Sequence, residues 1–326
     1  MATLFDSKKV QKLFGAEKRM ETLVSELFFA SKNVYKIKRA VKFDFADFTD
    51  PELRFKFAQK EFQKNKMFAP EIHLEKIPIY LANGEPNLSG KGMKVEIAIK
   101  MVRLPDNSSL DSYLRAGKVT KVLAEKIAKK IAVAHTKLKM TKKSKYLGSP
   151  KELKRIWDET LGLLKKDLTD LLFNEKEYTE IEKKSKKVLK NVIEDVDKRN
   201  RGGYCREIHG DMHSENVFIK EGVPFIIDSA LPVEDWENGD LAKDLGAIAM
   251  DFDAFGQAKL GDILVDRYQK LRNDKTIRKV LPFFKIYWAA ARMWVYGLIY
   301  KEEKSKEALK KFEMYKKTLL EYLSEA

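Results

Sequence analysis

Hydrophobic positions change rhythm partway along the chain. In the first hundred residues the apolar stretches are short and rich in aromatic and β-branched side chains. Residues 22 to 30 (TLVSELFFA) and 33 to 43 (NVYKIKRAVKF) read as two strands of a hairpin. Residues 50 to 68 (DPELRFKFAQKEFQKNKMF) switch to helical spacing, with Asp50 suited to cap and Pro51 at the first helical position. Strands are again predicted over 72 to 81 and 94 to 102, separated by a loop rich in Gly, Asn and Pro. After the turn sequence LPDNSS (104 to 109) the period becomes helical. The stretch KVTKVLAEKIAKKIAVAHTKLK puts Val122, Leu123, Ile127, Ile131, Ala134 and Leu138 on one stripe. Further helices are predicted over 150–173, 175–199, 239–255, 259–272, 276–299 and 303–324. The only strands among them fall around 207–208, 217–219 and 224–227. The pattern is α+β, with a β-rich part over 1–103 and a helical part over 104–326.

Composition narrows this picture. A chain of 326 residues with 44% hydrophobic side chains is long enough for two packed cores. Its single cysteine, Cys205, forms no intramolecular disulfide and suits a reducing interior. The N-terminal MATLFDSKKVQKLFG carries charges inside any apolar run, so it does not read as a signal peptide. The most membrane-like stretch, residues 283 to 300, is interrupted by Lys285 and Arg292 and reads as a buried helix. A soluble cytoplasmic protein with no membrane partner is expected. The formal charge of +15 raises the question of a nucleic-acid partner. Lys and Glu alternate along most helices, however, and the densest basic stretch (137 to 145) lacks interleaved aromatics. Attraction of anionic ligands such as nucleotides is the more economical use of that charge.

The candidate chemistry concentrates in residues 209 to 228, HGDMHSENVFIKEGVPFIID. Phosphoryl transfer asks for a carboxylate beside the acceptor hydroxyl, oxygen ligands for Mg²⁺ and a lysine on the phosphates. Asp211 suits the first role, on a turn that Gly210 permits. Asn216 lies five residues later on the same loop, and Asp228 ends a second apolar strand, both as oxygen ligands for a hard cation. The stretch between reads as a hairpin turning at Glu221–Gly222, which would bring Asn216 and Asp228 together. No further Cys or His cluster suggests zinc.

HGDMHSEN followed by IID resembles the catalytic and metal-binding segments of the aminoglycoside phosphotransferase and choline kinase superfamily. The likeness extends to a prokaryotic branch of such small-molecule kinases through VYKIKRAVKFDFADF, EFQKNKMFAPEIHLEKIPIY and GDLAKDLG, in order over roughly residues 22 to 300. The resemblance implies a bilobal protein-kinase-like fold, with a five-stranded antiparallel β lobe that binds nucleotide, one main helix, and a helical catalytic lobe. It implies ATP and Mg²⁺, with Asp211 as base and Asn216 and Asp228 as metal ligands. The phosphate lysine is Lys36 or Lys38, which share a strand face; Lys36 has the family's apolar-Lys-apolar setting, and Glu61 is its partner. Backbone at Met101, Val102 and Arg103 would meet the adenine edge, with Phe218 and Ile227 flanking the base. His209 braces the loop, His213 either contacts a ligand or bonds within the loop, Asp244 supports the loop, and Asp240 caps a helix.

Two departures stand out. The hairpin SELFFASKNVYK has no glycine where a phosphate-covering loop normally uses several. After Asp228 the chain runs Ser229-Ala230-Leu231-Pro232 in place of the usual isoleucine-glutamate, so the acceptor cannot be transferred from relatives. The expected reaction moves the γ-phosphoryl group of ATP to a hydroxyl of a small molecule. A protein kinase, a nucleotide-binding scaffold and an RNA-associated kinase rank below it. Asp235, Glu237 and Asp253 are candidates for a locally acidic acceptor pocket.

Overall fold

A computed structural model describes residues 6–42, 46–169, 173–231 and 233–325. The chain divides into two compact units, one of residues 1–108 with 225–234, the other of 109–224 with 235–326. A division by chain order at 103/104 would leave residues 225–234 with the helical part. Packing puts them, and with them Asp228, in the first unit.

The first unit opens with α1 (Ser7–Leu13), then β1 (Lys18–Glu21), β2 (Ser25–Phe29), β3 (Asn33–Lys38), α2 (Pro51–Phe68), β4 (His73–Ala82), β5 (Glu85–Asn87) and β6 (Met93–Val102). Its sheet has six strands in the order β1-β2-β3-β6-β4-β5, every neighbouring pair antiparallel. Six strands replace the expected five because β1 and β5 are short edge strands; β1 is exposed at all four residues and carries no apolar alternation. Strand β3 stops at Lys38 rather than 43, and residues 43–45 lie outside the described residues. The inward faces of β2, β3, β4 and β6 meet α1 in a core of Val10, Phe14, Phe28, Ile37, Ile79, Val95 and Ala98. Helix α2 begins as its sequence predicts: the Asp50 side chain accepts from Glu52 N and Pro51 occupies the first turn.

The second unit contains α3 (Leu110–Arg115), α4 (Lys121–Lys137), α5 (Lys142–Leu147), α6 (Pro150–Leu168), α7 (Glu175–Arg201), β7 (Cys205–Glu207), a 3₁₀ turn (Ser214–Asn216) and β8 (Val217–Lys220). Strand β9 (Val223–Ile226) and the short α8 (Glu234–Glu237) span the unit boundaries, and β10 (Asn238–Asp240), α9 (Leu241–Ala254), α10 (Ala258–Arg272), α11 (Ile277–Glu303) and α12 (Lys306–Ser324) complete the unit. The α4 stripe buries Leu123, Ile127, Ile131, Ala134 and Leu138. Val122 is 61% exposed, since a position one residue before Leu123 is rotated by about 100° out of the stripe. Helix α6 ends at Leu168, short of 173; residues 170–172 lie outside the described residues. The apolar stretch 283–300 is the buried body of α11, and among the described residues no helix is long and apolar enough to cross a membrane.

Candidate functional site

Each unit carries its own charged cluster. In the first, β3 projects Lys36 and Lys38 from the same face, and α2 places Glu61 between them. Lys36 Nζ lies 2.8 Å from Glu61 Oε1, and Lys38 Nζ lies 2.5 Å from Glu61 Oε2. Lys36 also pairs with Asp228, whereas Lys38 turns to Ser25 Oγ at 3.3 Å. Burial would raise the Glu61 carboxyl, but the two ammonium groups overcome this and hold it at about 2. Burial pulls Lys38 below the ordinary lysine value, while Asp228 and Glu61 outweigh burial at Lys36 and raise it.

Asp228 is the exposed end of this cluster, with 48% of its side chain open to solvent. It sits two residues past β9 with φ +61°, a left-handed conformation uncommon for a residue with a side chain. Asn65, from the last turn of α2, accepts from Ser229 N at 2.8 Å and so fixes the chain just beyond it. The resemblance singled out the segment that contains Asn65 without giving that side chain a task.

The expected adenine-facing segment is part of the sheet. Val102 N donates to Ile72 O and Arg103 N to Lys32 O, each at 2.9 Å, and Met101 O accepts from Asn33 Nδ2 at 3.3 Å. The Arg103 guanidinium binds Ala30 O at 3.1 Å and faces Glu17 at 3.3 Å. Ile227, in this unit, and Phe218, in the other, are each half-buried; Phe218 bridges to Ser109 within the second unit.

In the second unit the loop 209–216 is held through its backbone. Asp244, from the first turn of α9, accepts from His209 N and Gly210 N, each at 2.8 Å, and lies 3.2 Å from His135 Nε2. Burial pushes this carboxyl up, and His135, His209 and the Gly210 amide outweigh that to lower it. Gly210 has φ +80°, which admits the sharp turn into Asp211. Asp251 Oδ2 accepts from Ser214 N at 2.6 Å, and Tyr315 of α12 donates to its other oxygen at 3.0 Å.

Asp211 presents its carboxylate from this scaffold, 41% exposed. The Asn216 amide nitrogen lies 2.9 Å from Asp211 O, 3.3 Å from Asp211 Oδ2 and 3.2 Å from His213 Nε2. Burial would raise Asp211; His213, Arg292 and His209 more than offset it, keeping the group below the ordinary aspartate value and ionised at neutral pH. His213 is buried and serves this loop, with Nε2 also 3.5 Å from Asp211 Oδ1. His209 receives the Asp211 amide at 3.4 Å, a bracing contact.

Behind the loop lies a network that the sequence did not announce. Glu215 binds Arg292 and Tyr296 of α11 and Lys311 of α12. Lys311 continues to Asp111 Oδ1 at 3.0 Å, and Asp111 to Arg115 at 2.9 Å. Burial disfavours the Glu215 charge, but Arg292, His213 and Lys311 hold its carboxyl far below the usual range. The one available signal was Arg292, which with Lys285 interrupts the apolar stretch 283–300, since a buried guanidinium requires an acid nearby. Of the candidate acidic pocket, Asp253 is committed to Lys285 at 2.7 Å and Asp235 to Arg155 at 2.9 Å, so neither stands as a free acceptor-binding charge.

Solved structures with the same arrangement of elements include a glucosamine kinase, which aligns over 95% of this chain and 76% of its own at 11% identity and a TM-score of 0.56. The chain has the fold of the small-molecule kinases. A choline kinase from Cryptosporidium parvum Iowa II covers 94% of this chain and 90% of its own at 10% identity, TM-score 0.55. An aminoglycoside 2'-phosphotransferase-IIIa in a GDP complex covers 98% and 97% at 13% identity, TM-score 0.54. Uncharacterized proteins of Mycobacterium tuberculosis and Mycobacterium bovis are 24% identical over 284 residues, 83% of this chain and 53% of theirs. The chain thus spans about half the length of the curated relatives it matches. No protein-family profile matches it.

Among the described residues no group of three or more His, Cys, Asp or Glu could hold a metal alone. Magnesium usually takes only one or two protein oxygens and completes its shell with phosphate and water. The Asp228 carboxylate in the first unit and the Asn216 carboxamide in the second each offer the kind of oxygen a hard cation takes.

Proposed function

We propose that this chain transfers the γ-phosphoryl group of ATP to a hydroxyl of a small molecule. Asp211 orients that hydroxyl and takes its proton as the bond to phosphorus forms. Lys36, fixed by Glu61, neutralises the phosphates. Asp228 and Asn216 are the oxygen donors for Mg²⁺, which when bound offsets the charge of the phosphate oxygens. Asp244 and Asp251 keep the loop backbone fixed, so Asp211 is held in place before substrate arrives.

The observation that carries this reading is the state of Asp211: an ionised, accessible carboxylate on a loop whose amides are bound from behind. The fold it occurs in adds support, since the similar structures bear the names of a glucosamine kinase, a choline kinase and an aminoglycoside phosphotransferase. The test follows phosphate from γ-labelled ATP across a panel of hydroxylated metabolites, with wild type beside Asp211→Ala. Transfer by wild type and its loss in the variant are expected. Equal turnover by both would remove Asp211 from the role, and no Mg²⁺-dependent ATP binding by wild type would favour a scaffold.

A further inference from the structure

Strand β3 brings two ammonium groups to one carboxylate, one more than a single Lys–Glu pair requires. Each oxygen of Glu61 is taken by a different lysine, at 2.8 Å for Lys36 and 2.5 Å for Lys38. The two are not equivalent. Lys36 extends to Asp228 and has 10% of its side chain exposed. Lys38 has 2% exposed, donates to Ser25 Oγ at 3.3 Å and rests 5.9 Å from the Phe48 ring centre. Lys38 therefore has no route to a ligand, while Lys36 stands beside the half-exposed Asp228.

Charge makes the difference useful. Lys36 and Lys38 balance Glu61 and Asp228 to zero. Setting aside Asp228, which the reading above assigns to a metal ion, the other three groups sum to +1; with a single lysine they would sum to zero. The neighbouring hairpin explains why that charge is needed. Between β2 and β3 there is no glycine, no described residue from 25 to 38 has positive φ, and Ala30 N is already bound to Asn33 O at 2.9 Å. A glycine-lined backbone cradle for phosphate is missing there, so side-chain charge must carry more of the attraction.

We propose that Lys38 is a positioning residue for nucleotide binding: by neutralising Glu61 it leaves the Lys36 ammonium as net positive charge toward a polyphosphate. This rests on the phosphotransfer reading. It predicts a loss that grows with phosphate count, which a general structural defect would not give.

The experiment is calorimetric titration of the full chain with AMP, ADP and ATP, for wild type, Lys38→Met and Lys38→Arg. Loss of one partly screened charge in Lys38→Met should weaken ATP on the order of tenfold, ADP less, and AMP under about twofold. Lys38→Arg should keep most of the ATP affinity. If Lys38→Met does not fold, Lys38→Gln, which retains a donor to Glu61 without the charge, carries the same comparison. Equal losses for all three nucleotides would overturn the proposal. If wild type binds ATP and transfers phosphate while Lys38→Met binds ATP equally well, the proposal fails and the phosphotransfer reading survives. If wild type binds none of the nucleotides, both fail.

Discussion

The two charged clusters are built on opposite plans. Around Glu61 the partners are side chains on regular elements: two lysines on one strand, one glutamate on a helix. Around Asp211 the buried carboxylates of Asp244 and Asp251 accept backbone amides, and the Asp211 side chain stands outside those contacts. The first plan balances charge, because removing any member changes the net charge of the remaining groups. The second fixes shape, because its carboxylates replace the hydrogen-bond partners that an irregular backbone lacks. The same residue type therefore behaves differently by location: an aspartate at 211 is accessible, while one at 244 is wholly buried.

That contrast can be tested in descending order of effect. Asp211→Ala should lower kcat by roughly 10²- to 10⁴-fold, as loss of a positioned general base does, with little change in melting temperature. Steady-state kinetics and a thermal melt check both halves of the statement. Asp244→Ala should instead cost about 3 kcal/mol or more of stability, since two amides and His135 lose their buried partner. Denaturant unfolding measures it, and a stability near wild type would break the proposed division between shape and chemistry.

Glu61 gives a pH signature for the charge-tuned cluster. Its carboxyl sits at about 2 in the folded chain against an ordinary 4.5, so its stabilising contribution is complete above pH 4.5 and is lost as pH falls toward 2. The stability gap between wild type and Glu61→Gln should therefore be widest near neutrality and narrow through that window. A gap independent of pH would deny Glu61 its ionic role. Asn65→Ala should cost about 1 kcal/mol through the lost acceptor for Ser229 N, and should weaken nucleotide binding more than folding. Smallest of all, Val122→Lys on the exposed face of α4 should shift stability by under about 0.5 kcal/mol.

Much of the first cluster was legible in the chain. Period-two spacing put Lys36 and Lys38 on one face, and the cap at Asp50 with Pro51 fixed where α2 begins and thus where Glu61 falls along it. Alternation could not separate the two lysines. Their settings differ through Asp228, 192 residues away along the chain from Lys36, which only folding brings to one of them. In the second cluster the loop 209–216 was legible as a motif, and Asp244 as its support. Glu215, Asp251, Lys311 and Tyr315 were not, because each looks like an ordinary residue of a polar loop or an amphipathic helix until helices far apart in sequence pack together.

By itself, then, the sequence determined most of the elements and the identity of the candidate reactive groups. Hydrophobic period, caps and turn residues are local, and so are the glycine at 210 and the short HGD loop. The Glu221–Gly222 turn is equally local, with both residues at positive φ as a two-residue hairpin demands. Tertiary structure decided which carboxylate serves which cation, how far each is buried, and which lysine stays near solvent. Those properties depend on Coulomb interaction and desolvation between groups distant along the chain, and no local pattern encodes such distances.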